Sequence, residues 1–289
     1  MNEPRAELRD ERSILLEAVA EAAEGLGIPW LLTGASSRVL LLETLLGLPP
    51  GKATEDLDFG VMVRTWNEYQ ALKDSICKEG RFQPDPRQSQ RIWYGEDFKL
   101  DLIPFGAVAE PGETIRWPTE EGVVLSVLGF LEAYDSAVNV LVNGKIHVRV
   151  PTAAGMLLLK LIAWEDRHIR APGRDAPDIA YILRHAGRIV GQDALYGQYA
   201  SATEAADWDL DLAAARVLGV QVADMARART RSHLGKMLAR EVAAGEDSTL
   251  VREASSGLPP GRQRTTNSLL LLRQFNEGFA TGFLKGNPS

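Results

Sequence analysis

Apolar positions along the chain follow two periods, and the dominant period changes once. Residues 5–25 carry Leu8, Ile14, Leu15, Ala18 and Ala22 at helical spacing, and Gly25 and Gly27 then close the run. An apolar strand follows at 29–33, and a helix at 36–46. After the Pro/Gly loop of 47–52 comes a strand entered through two acids, then a helix over 66–78. Residues 91–94 and 99–103 predict a hairpin turned by Gly95-Glu96-Asp97, and 110–118 a surface loop. Further strands are expected at 123–125, 137–142 and 145–150, the last two joined at Asn143-Gly144, a pair suited to a tight hairpin turn.

Beyond Pro151 the apolar residues recur three and four apart almost to the end. Helices are expected over 152–167, 176–186, 193–199, 211–218, 220–228, 232–244 and 264–283, with 245–263 rich in loop because of its Ser-Ser-Gly and Pro-Pro-Gly runs. The fold class is therefore a mixed α/β (α+β) domain with a mixed sheet over residues 1–150, followed by an all-α domain over 151–289.

The chemistry concentrates in Ala53-Thr54-Glu55-Asp56-Leu57-Asp58-Phe59-Gly60. Strand side chains alternate, so Asp56 and Asp58 share a face, and nothing basic adjoins them in that stretch. A divalent cation is the usual remedy for such repulsion, because hard cations take carboxylate oxygens. The plainer reading is an acidic turn before a strand. Asp101 stands alone in the apolar run Leu100-Asp101-Leu102-Ile103 and should be buried, which requires a partner. Beside Asp56 and Asp58 it becomes a third metal ligand. Upstream, the strand ending at Thr33 runs into Gly34-Ala35-Ser36-Ser37-Arg38 and then a helix, an order that aims backbone N–H groups at phosphate.

Gly-x-Ser at 34–36, the Asp56-Leu57-Asp58 element and the lone Asp101 together resemble the nucleotidyltransferase superfamily. The stretches Leu100-Asp101-Leu102-Ile103-Pro104-Phe105-Gly106, Leu158-Leu159-Lys160-Leu161-Ile162-Ala163-Trp164-Glu165-Asp166-Arg167 and Arg174-Asp175-Ala176-Pro177-Asp178-Ile179 narrow the resemblance to its AbiEii/AbiGii-type toxin branch. The resemblance implies a nucleotidyltransferase-like first domain that moves NMP from an NTP to an acceptor. Mg²⁺ or Mn²⁺ would sit on Asp56, Asp58 and Asp101. Gly34, Ser36, Ser37, Arg38, Lys160, Arg167, Asp175 and Asp178 would contact the nucleotide, with Lys160 steadying the pyrophosphate as it leaves. Lys160 lies in a strongly apolar run, where snorkelling is its plain alternative, as helix capping is for Asp175. Two positions depart from the family's pattern. Arg174 replaces a lysine, and Val39 stands where an acid often follows the arginine.

The implied acceptor is RNA, at the tRNA 3′ end, for a toxin of a type IV-like toxin–antitoxin or phage-defence system restrained by an antitoxin protein. Two alternatives stand beside it: a transferase modifying an aminoglycoside-type antibiotic, and a degenerate nucleotide-binding domain. Charge bears on both acceptors. The net charge is −7; residues 1–211 carry 21 Lys and Arg against 33 Asp and Glu, whereas 212–289 carry 11 against 6. The acidic part suits a cationic drug and the basic part an anionic RNA. No apolar run approaches the ~18 residues of a membrane span, and residues 1–12 lack a signal core. The single Cys77 permits no internal disulfide and suits a reducing cytoplasm. His147, His168, His185 and His233 show no ligand spacing, and Trp30, Trp93, Trp117, Trp164 and Trp208 read as packing residues.

Overall fold

The structure, a computed structural model, describes residues 3–8, 11–54, 56–78, 80–118, 124–256 and 263–285. It comprises two compact units, Met1–Thr152 and Ala153–Ser289. The first is mixed α/β and the second is helical. Glu55 and Val123, and the Pro-Pro-Gly run at 259–261, lie outside the described residues.

In the first unit β1 (Arg5–Ala6) precedes α1 (Glu11–Leu26) and β2 (Trp30–Thr33). Next come α2 (Gly34–Arg38), a π-helical turn at Val39–Leu45, β3 (Leu57–Met62) and α3 (Trp66–Cys77). The strands β4 (Phe82–Pro84), β5 (Arg91–Tyr94), β6 (Phe98–Phe105), β7 (Thr114–Arg116) and β8 (Val124–Ser126) lead to α4 (Phe130–Asp135), β9 (Val138–Val142) and β10 (Ile146–Val150). The main sheet has the order β2-β3-β6-β5-β4 and is mixed: β3 and β6 are parallel, and the other pairs antiparallel. Leu57, Phe59 and Val61 are buried on one face of β3, which leaves Asp58 on the other.

Tertiary contacts override the local pattern at several points. The helix expected from residue 5 starts at Glu11. Upstream, Arg5–Ala6 add in parallel to Leu141–Val142, and the Asn143 amide brackets Leu8, accepting from its N–H at 2.8 Å and donating to its carbonyl at 3.0 Å. Asn143 and Gly144 both take left-handed φ, 52° and 68°, as their hairpin requires. The expected surface loop at 110–118 instead contains β7, because Ile115 and Trp117 turn inward and Trp117 packs on Trp66 and Tyr69. Trp208, expected to pack, is 60 % exposed and stacks on exposed Tyr196.

The second unit contains α5 (Ala153–Arg167), α6 (Ala176–Arg184), α7 (Ala186–Val190), α8 (Gln192–Tyr196) and α9 (Ala200–Ala205). It continues with α10 (Leu210–Met225), α11 (Ala228–Ala244), α12 (Thr249–Ser256) and α13 (Arg264–Lys285). The segment expected to be loop-rich holds α12. Glu241 caps it by accepting from Ser248 Oγ at 2.8 Å and the Leu250 N–H at 3.2 Å, while Leu250 and Val251 bury themselves. No helix among the described residues is long and apolar enough to cross a membrane.

The two helices expected over 211–228 are one, α10, and Gly219 sits inside it. The glycine serves close packing. A Cβ at Gly219 would lie 2.0 Å from the Phe275 carbonyl oxygen of α13, and one at Gly278 would lie 1.9 Å from that of Arg216. At Gly282 it would meet the Ala223 methyl at 2.7 Å. The backbones of α10 and α13 therefore touch along a seam that side chains would force apart. Helix propensity alone would make Gly278→Ala stabilising by about 1 kcal/mol. Overpacking reverses that sign, and urea unfolding should show Gly278→Ala and Gly219→Ala each destabilised by about 1–3 kcal/mol.

Candidate active site

Asp56 and Asp58 of the acidic stretch lie where β3 begins. In β3 and β6 the parallel register sets Asp58 opposite Asp101, and in β5 and β6 the antiparallel register sets Arg91 opposite Asp101 and Trp93 opposite Lys99. Register neighbours share a face, so one level of the sheet reads Asp58, Asp101, Arg91 across three strands. One step down the strands, Lys99 reaches Asp56 at 3.1 Å.

Asp101 and Asp56 each meet one base along this row. Arg91 grips Asp101 with two parallel hydrogen bonds, Nε to Oδ1 and a terminal nitrogen to Oδ2, each 2.8 Å. Both side chains are largely buried, at 14 % and 10 % exposed. The Asp101 hydrogen bonds lift the Arg91 guanidinium above its ordinary value; burial opposes them, and the charges of Asp101, Asp56 and Asp85 add to the rise. Trp93 lies between the two cations, with Arg91 and Lys99 each 5.9 Å from its ring centre. Its indole N–H donates to Asp85 at 2.7 Å, and that hydrogen bond, first among several, holds the Asp85 carboxyl below its usual range.

Gly34 closes the row from above. It has φ +63°, and a Cβ there would lie 1.9 Å from Asp58 Oδ2, so only glycine lets the chain pass the carboxylate. The two serines that follow turn their hydroxyls inward, Ser36 donating to the Asp56 carbonyl and Ser37 to the Gly34 carbonyl, both at 2.7 Å. Their side chains thus hold the loop, and what α2 offers a ligand is the backbone N–H groups of its first turn. Arg38 is buried, paired with Glu43, and donates to the Lys52 carbonyl at 2.6 Å. Glu43 also accepts from the Gly51 N–H at 2.9 Å. The acid missing at Val39 is therefore supplied one turn later, and Arg38 clamps the loop before β3.

The residues suit a divalent cation in kind. Three hard oxygen donors share one face, a glycine leaves space a Cβ would fill, and a guanidinium stands in as the positive charge on Asp101. They do not stand together as ligands. Among the described residues no three Asp, Glu, His or Cys side chains are grouped to hold a metal ion. The expected convergence of Asp56, Asp58 and Asp101 is replaced by pairing with Lys99 and Arg91, so the absence of neighbouring bases assumed from the sequence does not hold. A cleft lined by Pro29, Met62, Val63, Gly106 and Leu131 opens at the opposite ends of β3 and β6.

In the helical unit Lys160 meets Asp178 at 2.6 Å and Asp175 at 3.3 Å, and Arg167 grips Asp175 through two 2.6 Å hydrogen bonds. Lys160 is thus paired within the fold. Asp175 occupies the N-cap of α6, but its side chain makes no capping hydrogen bond and serves the cations instead. Burial raises the Asp175 carboxyl, but the Arg167 hydrogen bonds and the charges of Lys160 and Arg167 outweigh it, and the net shift is downward.

Arg91, Lys99, Trp93 and Glu43 were not among the residues singled out from sequence. Period-two alternation in the expected hairpin would have found the first three, since it aligns Arg91 and Trp93 with Asp101 and Lys99.

No family model matches the sequence, and no curated protein matches it. The chain is similar to several solved structures at low identity. One is the solution structure of the antibiotic-resistance factor ANT(2'')-Ia: 15 % identity over 69 % of this chain and 99 % of that one, TM-score 0.35. A crystal structure of ANT(2'')-Ia with adenylyl-2''-tobramycin gives 13 % over 71 % and 97 %, TM-score 0.36. A CCA-adding enzyme with ATP gives 10 % over 96 % and 83 %, TM-score 0.24.

Two outcomes follow from the pairing. Asp101→Ala strands a buried guanidinium and should cost about 3 kcal/mol or more in urea unfolding. Asp56→Ala, whose partner Lys99 is 28 % exposed, should cost less than about 1 kcal/mol. Because the Asp175 carboxyl is depressed in the folded state, its stabilising contribution is present above the unfolded value near ~3.9 and is lost as pH falls through the folded one. The stability gap between wild type and Asp175→Asn should therefore be full at pH 6–7 and shrink below about pH 4.

Proposed function

We propose that the chain is a nucleotidyltransferase that moves NMP from an NTP onto the 3′ end of RNA, with tRNA as acceptor. The observation that carries this reading is the register pair Asp58 and Asp101 on adjacent parallel strands, with Gly34 and the start of α2 directly against Asp58. It sets paired carboxylates beside backbone donors, the two elements that phosphoryl chemistry requires. The motif resemblance at the same residues supports it.

In this reading Asp58 and Asp101, with Asp56, would hold Mg²⁺ or Mn²⁺, which when bound neutralises triphosphate charge and eases ionisation of the acceptor hydroxyl. The first-turn N–H groups at Gly34, Ser36 and Ser37 orient the phosphates. The acceptor oxygen forms a bond to the α-phosphorus, the bond to the β-phosphate oxygen breaks, and pyrophosphate leaves as the hydroxyl proton departs to solvent. Arg38 acts at one remove, fixing the loop that enters β3. In the helical unit Lys160, Arg167, Asp175 and Asp178 are the residues that the motif resemblance gives to the nucleotide. As a toxin, such an enzyme requires restraint by an antitoxin. The acidic balance of residues 1–211 favours the second reading, a transferase for a cationic antibiotic.

Incubation with α-labelled NTPs, Mg²⁺, total tRNA and a panel of aminoglycosides decides between the acceptors. Labelled tRNA is the expected result, and a labelled drug with unlabelled RNA gives the function to the second reading. Asp58→Asn should lose more than the ~10–100-fold that a residue supporting a metal ligand typically costs. An active Asp58→Asn enzyme sinks the assignment of the acid row. Lys160→Ala should raise the apparent constant for NTP while leaving Mn²⁺ binding without nucleotide unchanged.

A further inference from the structure

Two acids of the row carry a cation from the same sheet, and the two cations are held differently. Lys99 touches Asp56 through one oxygen at 3.1 Å and is 28 % exposed. Arg91 covers both oxygens of Asp101 in a fork, with 14 % of its side chain exposed. A carboxylate so engaged has its best-directed lone pairs filled, so a metal ion cannot take Asp101 until the guanidinium withdraws. Withdrawal leaves the sheet intact, because Arg91 is bound to Asp101 by side chains and its strand pairing by backbone. Trp93 flanks Arg91 while it holds Asp101. The Trp93 ring, fixed by Asp85, offers its face to a cation 5.9 Å away.

We propose that Arg91 is a resident counter-ion that competes with the divalent cation for Asp101, so that loading the site exchanges one positive charge for another. The proposal rests on the nucleotidyltransferase reading of the acid row. It explains how Asp56 and Asp101 can share a face with Asp58 in a stable fold. Each acid approached by a neighbouring-strand cation is neutralised in advance, and the cost of burying charge falls on a pair rather than on a lone carboxylate. It assigns Arg91 a positioning role: it sets how tightly the site takes its metal.

Mn²⁺ binding to the full chain without nucleotide, followed by the electron-spin-resonance signal of free Mn²⁺, tests the exchange. Arg91→Gln should bind Mn²⁺ about tenfold more tightly than wild type or better, the size of effect one neighbouring charge has on a carboxylate. Arg91→Lys, which keeps the charge and loses the fork, should fall between them. Asp58→Asn added to Arg91→Gln should abolish the gain. In wild type, the Arg91 Nε–H resonance should shift as Mg²⁺ saturates the site, an arm that needs no variant. If Arg91→Gln and wild type bind alike, Asp58→Asn abolishes binding in both, and the Nε–H signal stays fixed, the acid row is a metal site and the exchange is wrong. If neither chain binds Mn²⁺ through Asp58, the metal reading fails and the exchange with it.

Discussion

Carboxylates set side by side on a sheet repel, and the first unit is arranged so that two of the three acids of the row each meet a positive charge. Asp101 is taken by the Arg91 fork and Asp56 by Lys99. This requirement fixes more than two ion pairs. It makes the hairpin of β5 and β6 part of the acid row, because its register brings Arg91 level with Asp101, while the β3–β6 register brings Lys99 beside Asp56. It also accounts for the charged end of a sheet face that farther along is covered by Phe105 and Phe130, while the other face is packed with Leu57, Phe59 and Val61.

A second, independent clamp governs the approach to the row. Arg38, Glu43 and the Gly51–Lys52 backbone form a closed set beneath the π-helical turn. Ser36 ties the start of α2 to the Asp56 backbone. The segments before and after the long loop are thereby fastened to each other, so Gly34 meets Asp58 in a set geometry. Preorganisation of this kind places backbone donors without any further ordering cost at the moment of binding.

Much of the fold was legible because its signals are local. The Asn143-Gly144 turn, the strand around Asp58 and the long helices beyond residue 152 follow from turn chemistry and apolar period. The failures share a cause. Arg5–Ala6 became a strand through partners at 141–142, Ile115 and Trp117 drew a supposed loop into the core, and Glu241 organised α12 from the preceding helix. Each depends on residues remote in sequence or on a side chain that a window of apolar positions ignores. At the site, sequence identified the acids but not their counter-charges, because Arg91 and Lys99 read as ordinary strand-surface residues until the register is known. Lys160 was expected to face the leaving pyrophosphate; the structure pairs it with Asp175 and Asp178, which were in view as nucleotide contacts rather than as its ion-pair partners.

The glycine seam of the helical unit bears on how the chain is made. Half of the seam, Gly278 and Gly282, is among the last described residues, while its counterpart Gly219 lies some sixty positions earlier. During synthesis α10 therefore emerges with a groove of small residues, Ala215, Gly219 and Ala223, that nothing yet fills. At about 5–20 residues per second, that surface waits several seconds for α13. Over that interval the nascent helical unit is a substrate for chaperones, and a ribosome stalled before residue 278 would release a chain whose core is open along one side.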